Sequence, residues 1–253
     1  MPEDVTDVTF HRETELGAEE PTLIEGLPGT GLVASITADY VTTHLDLEQH
    51  GTLRSEAFPP AASFADGLVQ DTVRVYSGTD PDVMTLQSDV PIPPVAFPAM
   101  SDCIHEDLAE EFGRVIFVAG IPAQTDEQRS DVFGVATTKE LRAELEENDI
   151  EIAQEDGVVG GVTGSLVNTC HQEDVPATLL LVRSEPRLPD PGAARAVIEN
   201  ALEPLVDFDI DTGELAEQAE EIQQQKQQIM QQMQQLQQGQ QGQEPTQTQS
   251  MYE

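Results

Sequence analysis

The sequence has no tryptophan, only two cysteines, and lysine only at Lys139 and Lys226; aromatic residues make up 4% of its 253 positions. Cys103 and Cys170 lie far apart and form no CxxC pair. That excludes a disulfide framework and fits a reducing cytosol. No stretch approaches the ~18 apolar residues that a membrane span requires. The opening Met1-Pro2-Glu3-Asp4 is acidic where a signal peptide is basic. An intracellular, cytoplasmic protein with no membrane partner is therefore expected. Basic charge is the largest deficit, with 11 Lys and Arg against 48 Asp and Glu and a net charge of -37. Phosphate contacts need a basic face, so nucleic acid is excluded as a partner. The acids are spread along the chain rather than gathered in one block. Spread acidity with almost no lysine reads as adaptation to molar salt, where the Debye length is only ~3 Å and self-repulsion is screened. A salt-accumulating archaeon is the expected source.

What remains is enough for a core. Hydrophobic residues are 38% of the chain, below the usual ~45–50%, but the apolar runs concentrate between positions 20 and 206. An edge strand is expected around 5–10, a strand at 22–25, and a glycine-rich turn at 26–31. Leu32, Val33, Ile36, Tyr40, Val41 and Leu45 then recur with helical spacing. Residues 52–57 and 68–76 read as strands of a meander, and 83–86 as another, stopped by Pro91, Pro93 and Pro94. Residues 100–112 read as a helix. The continuous apolar run at 115–119 is that of a strand covered on both faces. Strands at 132–136, 150–152 and 177–183 alternate with helices at 138–147 and from the second glycine stretch, 157–164, to about 170. Asp190 as N-cap and Pro191 at the first helical position open a helix through Val206. Alternating strands and helices predict an α/β sheet covered on both faces.

Few residues invite chemistry. Gly26 and Gly31 match the outer glycines of a phosphate-binding P-loop, but Leu32 and Val33 stand where Lys and Ser/Thr are required, so that motif fails. The sequence from Gly29 to Ala34 fits the dinucleotide pattern GxGxxA, with Glu48 at the distance of the ribose-binding acid. However, residues 45–50 make a poor second strand. A tight strand-to-helix turn that lets two backbones approach is the favoured reading. Cys103-Ile104-His105 and Cys170-His171 lack structural-zinc spacing. Ser165 lacks the following glycine of a GxSxG elbow. No catalytic residue, metal site or cofactor is expected.

The character changes after Ile210. Asp211 and Glu214 give a helix-start signal. Leu215, Ala219, Ile222, Lys226, Ile229, Met233 and Leu236 recur at alternating steps of four and three, an a/d register that predicts a self-associating helix over 211–238. The same stripe would also suit one helix packed on its own domain, and Lys226 at a core position weakens a coil. From Gln223 to Gln243, 14 of 21 residues are glutamine. The segment 239–253 is expected to stay flexible, yet it ends in Met251, Tyr252 and Glu253. A thioether, a phenol and two carboxylates on a tether read as a displayed ligand.

Four motifs in order carry a resemblance. They are the glycine turn from Glu25 to Val33 (with Gly26, Pro28, Gly29 and Gly31), the Val132-Phe133-Gly134-Val135-Ala136 strand, the stretch from Gly157 through Gly160 and Gly161 to Gly164, and Pro189-Asp190-Pro191-Gly192 before a helix. Together they resemble the archaeal proteasome assembly chaperone family over about residues 20–222; Ala34 departs from the expected glycine. The resemblance implies a three-layer α/β/α sandwich related to nucleoside phosphorylase folds over 1–210, no family-wide catalytic site, and homo-oligomers with projecting C-terminal helices. It also implies that the hydrophobic-tyrosine-any tip, here Met251, Tyr252 and Glu253, docks on α subunits of the proteasome core particle. A nucleotide- or nucleoside-binding enzyme using the turn from Gly26 to Gly31 is the alternative.

Overall fold

The apolar run at 115–119 lies in the interior of one mixed sheet. The computed structural model describes residues 7–125 and 128–241, with side chains as far as Ile229. The strands are β1 (Thr9–Arg12), β2 (Thr22–Gly26), β3 (Glu48–Arg54), β4 (Ser63–Ala65), β5 (Leu68–Gln70), β6 (Val73–Thr79), β7 (Asp82–Ser88), β8 (Arg114–Pro122), β9 (Val132–Ala136) and β10 (Ala177–Ser184). Eight of them form a sheet in the order β1-β3-β6-β7-β2-β8-β10-β9, while β4 and β5 pair separately. Its centre, β7-β2-β8-β10, is parallel. Antiparallel β6, β3 and β1 extend one side, and antiparallel β9 closes the other.

The helices are α1 (Val33–His44), α2 (Phe97–Cys103), α3 (Lys139–Glu147), α4 (Gly161–Gln172), α5 (Pro191–Val197), α6 (Glu203–Val206) and α7 (Gly213–Gln241). They bury the two faces of the sheet separately. Side chains alternate along a strand with period two, so Leu23, Met84, Leu86, Val115, Phe117 and Leu179 meet α2 and α4 in one cluster. Their neighbours Ile24, Val83, Ile116, Val118, Leu180 and Val182 meet α1, α3, α5 and the start of α7 in the other. This gives three layers, α/β/α. Arg114 ties the second face together, donating to the Thr22 hydroxyl at 3.1 Å, to Glu144 at 2.6 Å and to the carbonyl of Leu205.

The structure corrects several sequence expectations. Residues 48–54 do form a strand, with a register shift against β6 between Gln49 and Gly51, and the buried His50 at that shift has partners: Nε2 lies 2.6 Å from Glu111 and Nδ1 lies 3.2 Å from the Thr14 hydroxyl. The run 68–76 is two strands broken at Asp71-Thr72, where the Asp71 carboxylate accepts from Arg54 at 2.7 Å. The helix expected over 100–112 begins at Phe97 and passes at Ile104 into a π turn, Ile104–Leu108. Another π turn, Ile198–Leu202, lies between α5 and α6. Residues 150–152 contribute one isolated bridge, Gly134 to Ile152, where a strand was expected. The edge strand is Thr9–Arg12, later than expected, and residues 1–6 lie outside the described ones. Helix α7 runs to Gln241, three residues past its expected end.

The start of α5 follows the sequence. Asp190 caps it, accepting from the Ala193 N–H at 3.1 Å, with Pro191 at the first position. The same carboxylate accepts from the Glu185 N–H at 2.7 Å. Replacing Asp190 by Ala removes both acceptors, and caps alone are worth ~1 kcal/mol. Asp190→Ala is expected to lower stability by about 1–3 kcal/mol in denaturant unfolding at fixed molar salt, whereas Asp190→Asn, which keeps one acceptor oxygen, loses less.

Candidate functional site

Both glycine stretches lie beside the carboxyl ends of the parallel strands, where open α/β sheets bind ligands. In the first, Gly26 closes β2, and a Cβ there would come within 2.2 Å of the Ala38 Cβ on α1. Pro28 is half-buried and Gly29 exposed, with open space around it. Gly31 is buried and left-handed at φ 66, and a Cβ on it would approach the Glu185 carbonyl to 2.9 Å. The favoured reading, close backbone packing, accounts for Gly26 and Gly31. The dinucleotide geometry does not form: Glu48 begins β3, an antiparallel strand separated from β2 by β6 and β7.

In the second stretch Gly160 is the N-cap position of α4, Gly161 is left-handed at φ 74, and both are exposed. A Cβ on Gly164 would strike the Val159 carbonyl at 2.2 Å. The two stretches meet at Glu25, which the sequence reading passed over. Its side chain is 1% exposed. Oε1 accepts from the Leu27 N–H at 3.2 Å and from the Thr163 hydroxyl at 3.2 Å, and Oε2 has no partner. Burial pushes its pKa from 4.5 up to about 8, against the opposing pull of the Leu27 N–H and the Thr163 hydroxyl. At neutral pH Glu25 is a neutral acid that links the two glycine stretches. Only its position directly after a strand's apolar residues and before the turn could have signalled this.

Other candidates from the sequence stay apart. Cys103 and Cys170 are buried free thiols whose pKa values burial raises to about 12 and about 11, the opposite of an activated nucleophile. Ser165 bonds to Ser101 at 3.1 Å. His50 is held low by burial and by Arg12, which pairs with the same Glu111. Among the described residues no group of three or more His, Cys, Asp or Glu could hold a metal ion.

The heptad residues divide between two environments. Leu215 is 1% exposed and belongs to the domain's second cluster. Ala219 and Ile222 are half-buried beside Gly192 and Pro191 at the start of α5, around a cavity of about 190 Å³. Lys226, expected in a coil core, pairs with Glu185 Oε2 at 2.6 Å, and Arg129 reaches the same oxygen at 2.5 Å. The two cations, Lys226 first, hold the Glu185 carboxyl below its ordinary range. Ile229 is 55% exposed. The side chains of Met233 and Leu236, and all of Met251, Tyr252 and Glu253, lie outside the described residues.

Fold and site together define a class: three-layer α/β domains with glycine turns at the carboxyl ends of a mixed sheet and a C-terminal helix seated at its base. The sequence model of the PAC2 family matches residues 23–230, and the chain belongs to that family. It is 30% identical over 196 residues to the uncharacterized protein MJ0106 of Methanocaldococcus jannaschii, covering 77% of this chain and 79% of that one. The crystal structure of Pyrococcus furiosus PbaA, described as an archaeal homolog of proteasome-assembly chaperone, superposes with a TM-score of 0.78 at 25% identity, covering 93% of this chain and 96% of that chain. Pyrococcus furiosus PbaB, described as an archaeal proteasome activator, shares the fold with a TM-score of 0.77 at 22% identity, covering 89% and 99%.

Glu25 sets a pH dependence whose sign is fixed. Its folded pKa lies above the unfolded value, so between about pH 4.5 and 8 the native state keeps a proton that the unfolded chain has released. Its contribution to stability is full at low pH, falls as pH rises through that window, and levels off above about 8. Glu25→Gln keeps the site neutral. It is expected to gain on the wild type by about 1 kcal/mol per pH unit across the window, read from denaturant unfolding of both proteins at fixed salt. Parallel stability curves would show that Glu25 is ionised in the fold.

Proposed function

We propose that the chain is a non-enzymatic proteasome assembly chaperone or activator, a cytoplasmic homo-oligomer of a salt-accumulating archaeon. Its C-terminal Met251, Tyr252 and Glu253 enter pockets of the core particle's α-ring. The observation that carries this reading is the seating of α7 in a PAC2 domain. Leu215 and the Lys226–Glu185 pair fix the helix base, and its axis rises about 22 Å between Lys226 and its end at Gln241. A helix so held gives the terminal residues a fixed point of departure. The printed descriptions of PbaA and PbaB add support, since both concern the proteasome.

At the tip, Tyr252 supplies an aromatic anchor with a hydroxyl and Met251 an adaptable apolar contact. The terminal carboxylate of Glu253 pairs with a pocket lysine. One tip binds weakly, and several on one oligomer multiply affinity by ~10²–10⁴ where spacing matches the ring. Leu215, Ala219 and Ile222 are occupied by their own domain. We therefore assign contact between copies along α7 to Ile229, Met233 and Leu236.

One observation favours a second reading, a nucleotide- or nucleoside-binding enzyme: a buried neutral acid, Glu25, adjoins the turn from Gly26 to Gly31 at the carboxyl ends of parallel strands. The two separate cleanly. Deleting residues 251–253, or Tyr252→Ala, is expected to reduce co-purification with core particles at molar salt at least tenfold; undiminished binding by both variants refutes tip docking. A rise in Tm with nucleotides, nucleosides or NAD, growing with ligand concentration, would instead favour the enzyme.

A further inference from the structure

One face of the sheet lies open where it ends in β10 and β9. Ala177, Leu179, Leu181 and Arg183 alternate along β10 toward that face. Val135 and Phe133 stand beside Leu179 and Leu181 on β9. With Val167 of α4 the apolar side chains among them floor a trough of about 830 Å³, and Val135 is 37% exposed within it. The floor follows β10 from Ala177 to Arg183, a run of about 20 Å at ~3.3 Å per residue.

The two long walls differ. One is a stripe of α4 formed by Gly164, Val167, Asn168 and His171, at helical spacing. Among the described residues no side-chain hydrogen bond engages Asn168 or His171, and each side chain offers both a donor and an acceptor. The other wall is the segment from Glu151 to Val159. It is held to β9 where the Gly134 N–H donates to the Glu151 carbonyl at 2.7 Å and the Ala153 N–H to the Gly134 carbonyl at 3.1 Å. That wall carries the carboxylates of Glu151, Glu155 and Asp156 and no cation. Arg183 closes one end, its guanidinium 5.7 Å from the Phe133 ring centre.

These features select an occupant. The floor takes apolar side chains, and paired donors and acceptors suit a main chain, whose every amide presents an N–H and a C=O. The acidic wall takes cations. A fatty acid would set its carboxylate near that wall and leave Asn168 and His171 unpaired. A second copy, at net charge -37, or the tip from Met251 to Glu253 would bring further carboxylates to it. We propose that the trough binds an extended peptide segment of a partner protein, with apolar side chains on the floor and basic side chains along the wall from Glu151 to Asp156.

An extended chain sends alternate side chains to opposite sides, so about six residues fill the length. Those facing away from the floor are basic, with stems long enough to turn back to the rim. Asn168 and His171 bond the main chain, and Arg183 donates to a carbonyl at its end. Molar salt screens exposed ion pairs, so the floor supplies most of the affinity and the acids the selectivity. This contact goes beyond tip docking, since it lies on the domain itself and needs neither α7 nor the terminal tripeptide.

The probes are N-terminally labelled hexapeptide amides in which lysine alternates with valine, leucine or phenylalanine, together with twins carrying glutamate for lysine. Fluorescence anisotropy with the full chain at molar KCl is expected to show saturable binding of a lysine peptide, at least threefold tighter than its glutamate twin. Glu155→Lys with Asp156→Lys, both exposed positions, is expected to invert that preference with unchanged circular dichroism. Val135→Ser is expected to weaken both twins at least threefold; should it disturb the fold, the fully exposed Val158→Ser is read by the same criterion. Deleting residues 251–253 is expected to leave the affinity unchanged. No saturable binding of any lysine peptide, equal affinity for the twins, or a preference that survives the wall variant overturns the proposal. Tighter peptide binding after the deletion would make the tip the occupant, displacement by decanoate would make the trough a lipid site, and a smaller oligomer in Val135→Ser would assign it to a second copy. Each of these also overturns it.

Discussion

Asp190 joins three backbone segments, two of them through carboxylate acceptors that no apolar side chain could replace. Its N–H donates to the Gly31 carbonyl at 2.9 Å, and its carboxylate accepts from the N–H groups of Glu185 and Ala193. The first glycine turn, the exit of β10 and the entry of α5 are thereby held at one point. Glu185, whose backbone Asp190 fixes, turns its own carboxylate outward to Arg129 and Lys226. The base of α7 thus depends on the placement of a loop between β10 and α5. Glycine at position 31 follows from the same constraint, since any side chain there would collide with the Glu185 carbonyl and force the loop away.

A chain with 11 cations and 48 acids has few ion pairs to make, and their locations show what they hold. Arg74, almost fully buried, bonds Asp89 at 2.5 and 2.9 Å and joins β6 to the end of β7. Arg114 joins β8 to β2, α3 and α6, and Arg12 and His50 meet on Glu111. The largely exposed pairs, such as Arg142–Glu146 within one helix, contribute little. The useful cations sit where two elements must be joined and water is partly excluded, so that salt screens them less.

The sequence was most legible where one local rule decided the outcome. The doubly covered run at 115–119, the strand Val132–Ala136 and the Asp190-Pro191 helix start lie where spacing and capping place them. It was least legible where a distant partner decided. Residues 45–50 read as a poor strand, and the burial of His50 is made tolerable by Glu111, 61 positions away, and by Thr14. Glu25 looked like an ordinary acid before a turn; its neutrality comes from burial under the covering layers, which outweighs the opposing hydrogen bonds from Leu27 and Thr163. Phe64, Leu68 and Val69 are strand-forming residues around an Asp-Gly turn, and composition cannot distinguish a strand buried by its own domain from a hairpin left exposed. The terminal tripeptide was conspicuous in the sequence and lies outside the described residues.

Helix α7 shows why periodicity alone cannot name a helix's partner. A stripe at steps of three and four buries equally well against a copy of itself or against the flank of a domain. The decisive residue is Lys226. In a coil its ammonium would sit in an apolar seam. Here it finds Glu185, and the stripe up to that point is spent on Leu215, Ala219 and Ile222 against the domain. Ile229, one step further, is exposed because the domain surface has ended. The lysine thus marks where the domain's hold on the helix ends, which makes a charge that weakens a coil a reason for the helix to stay seated at its base.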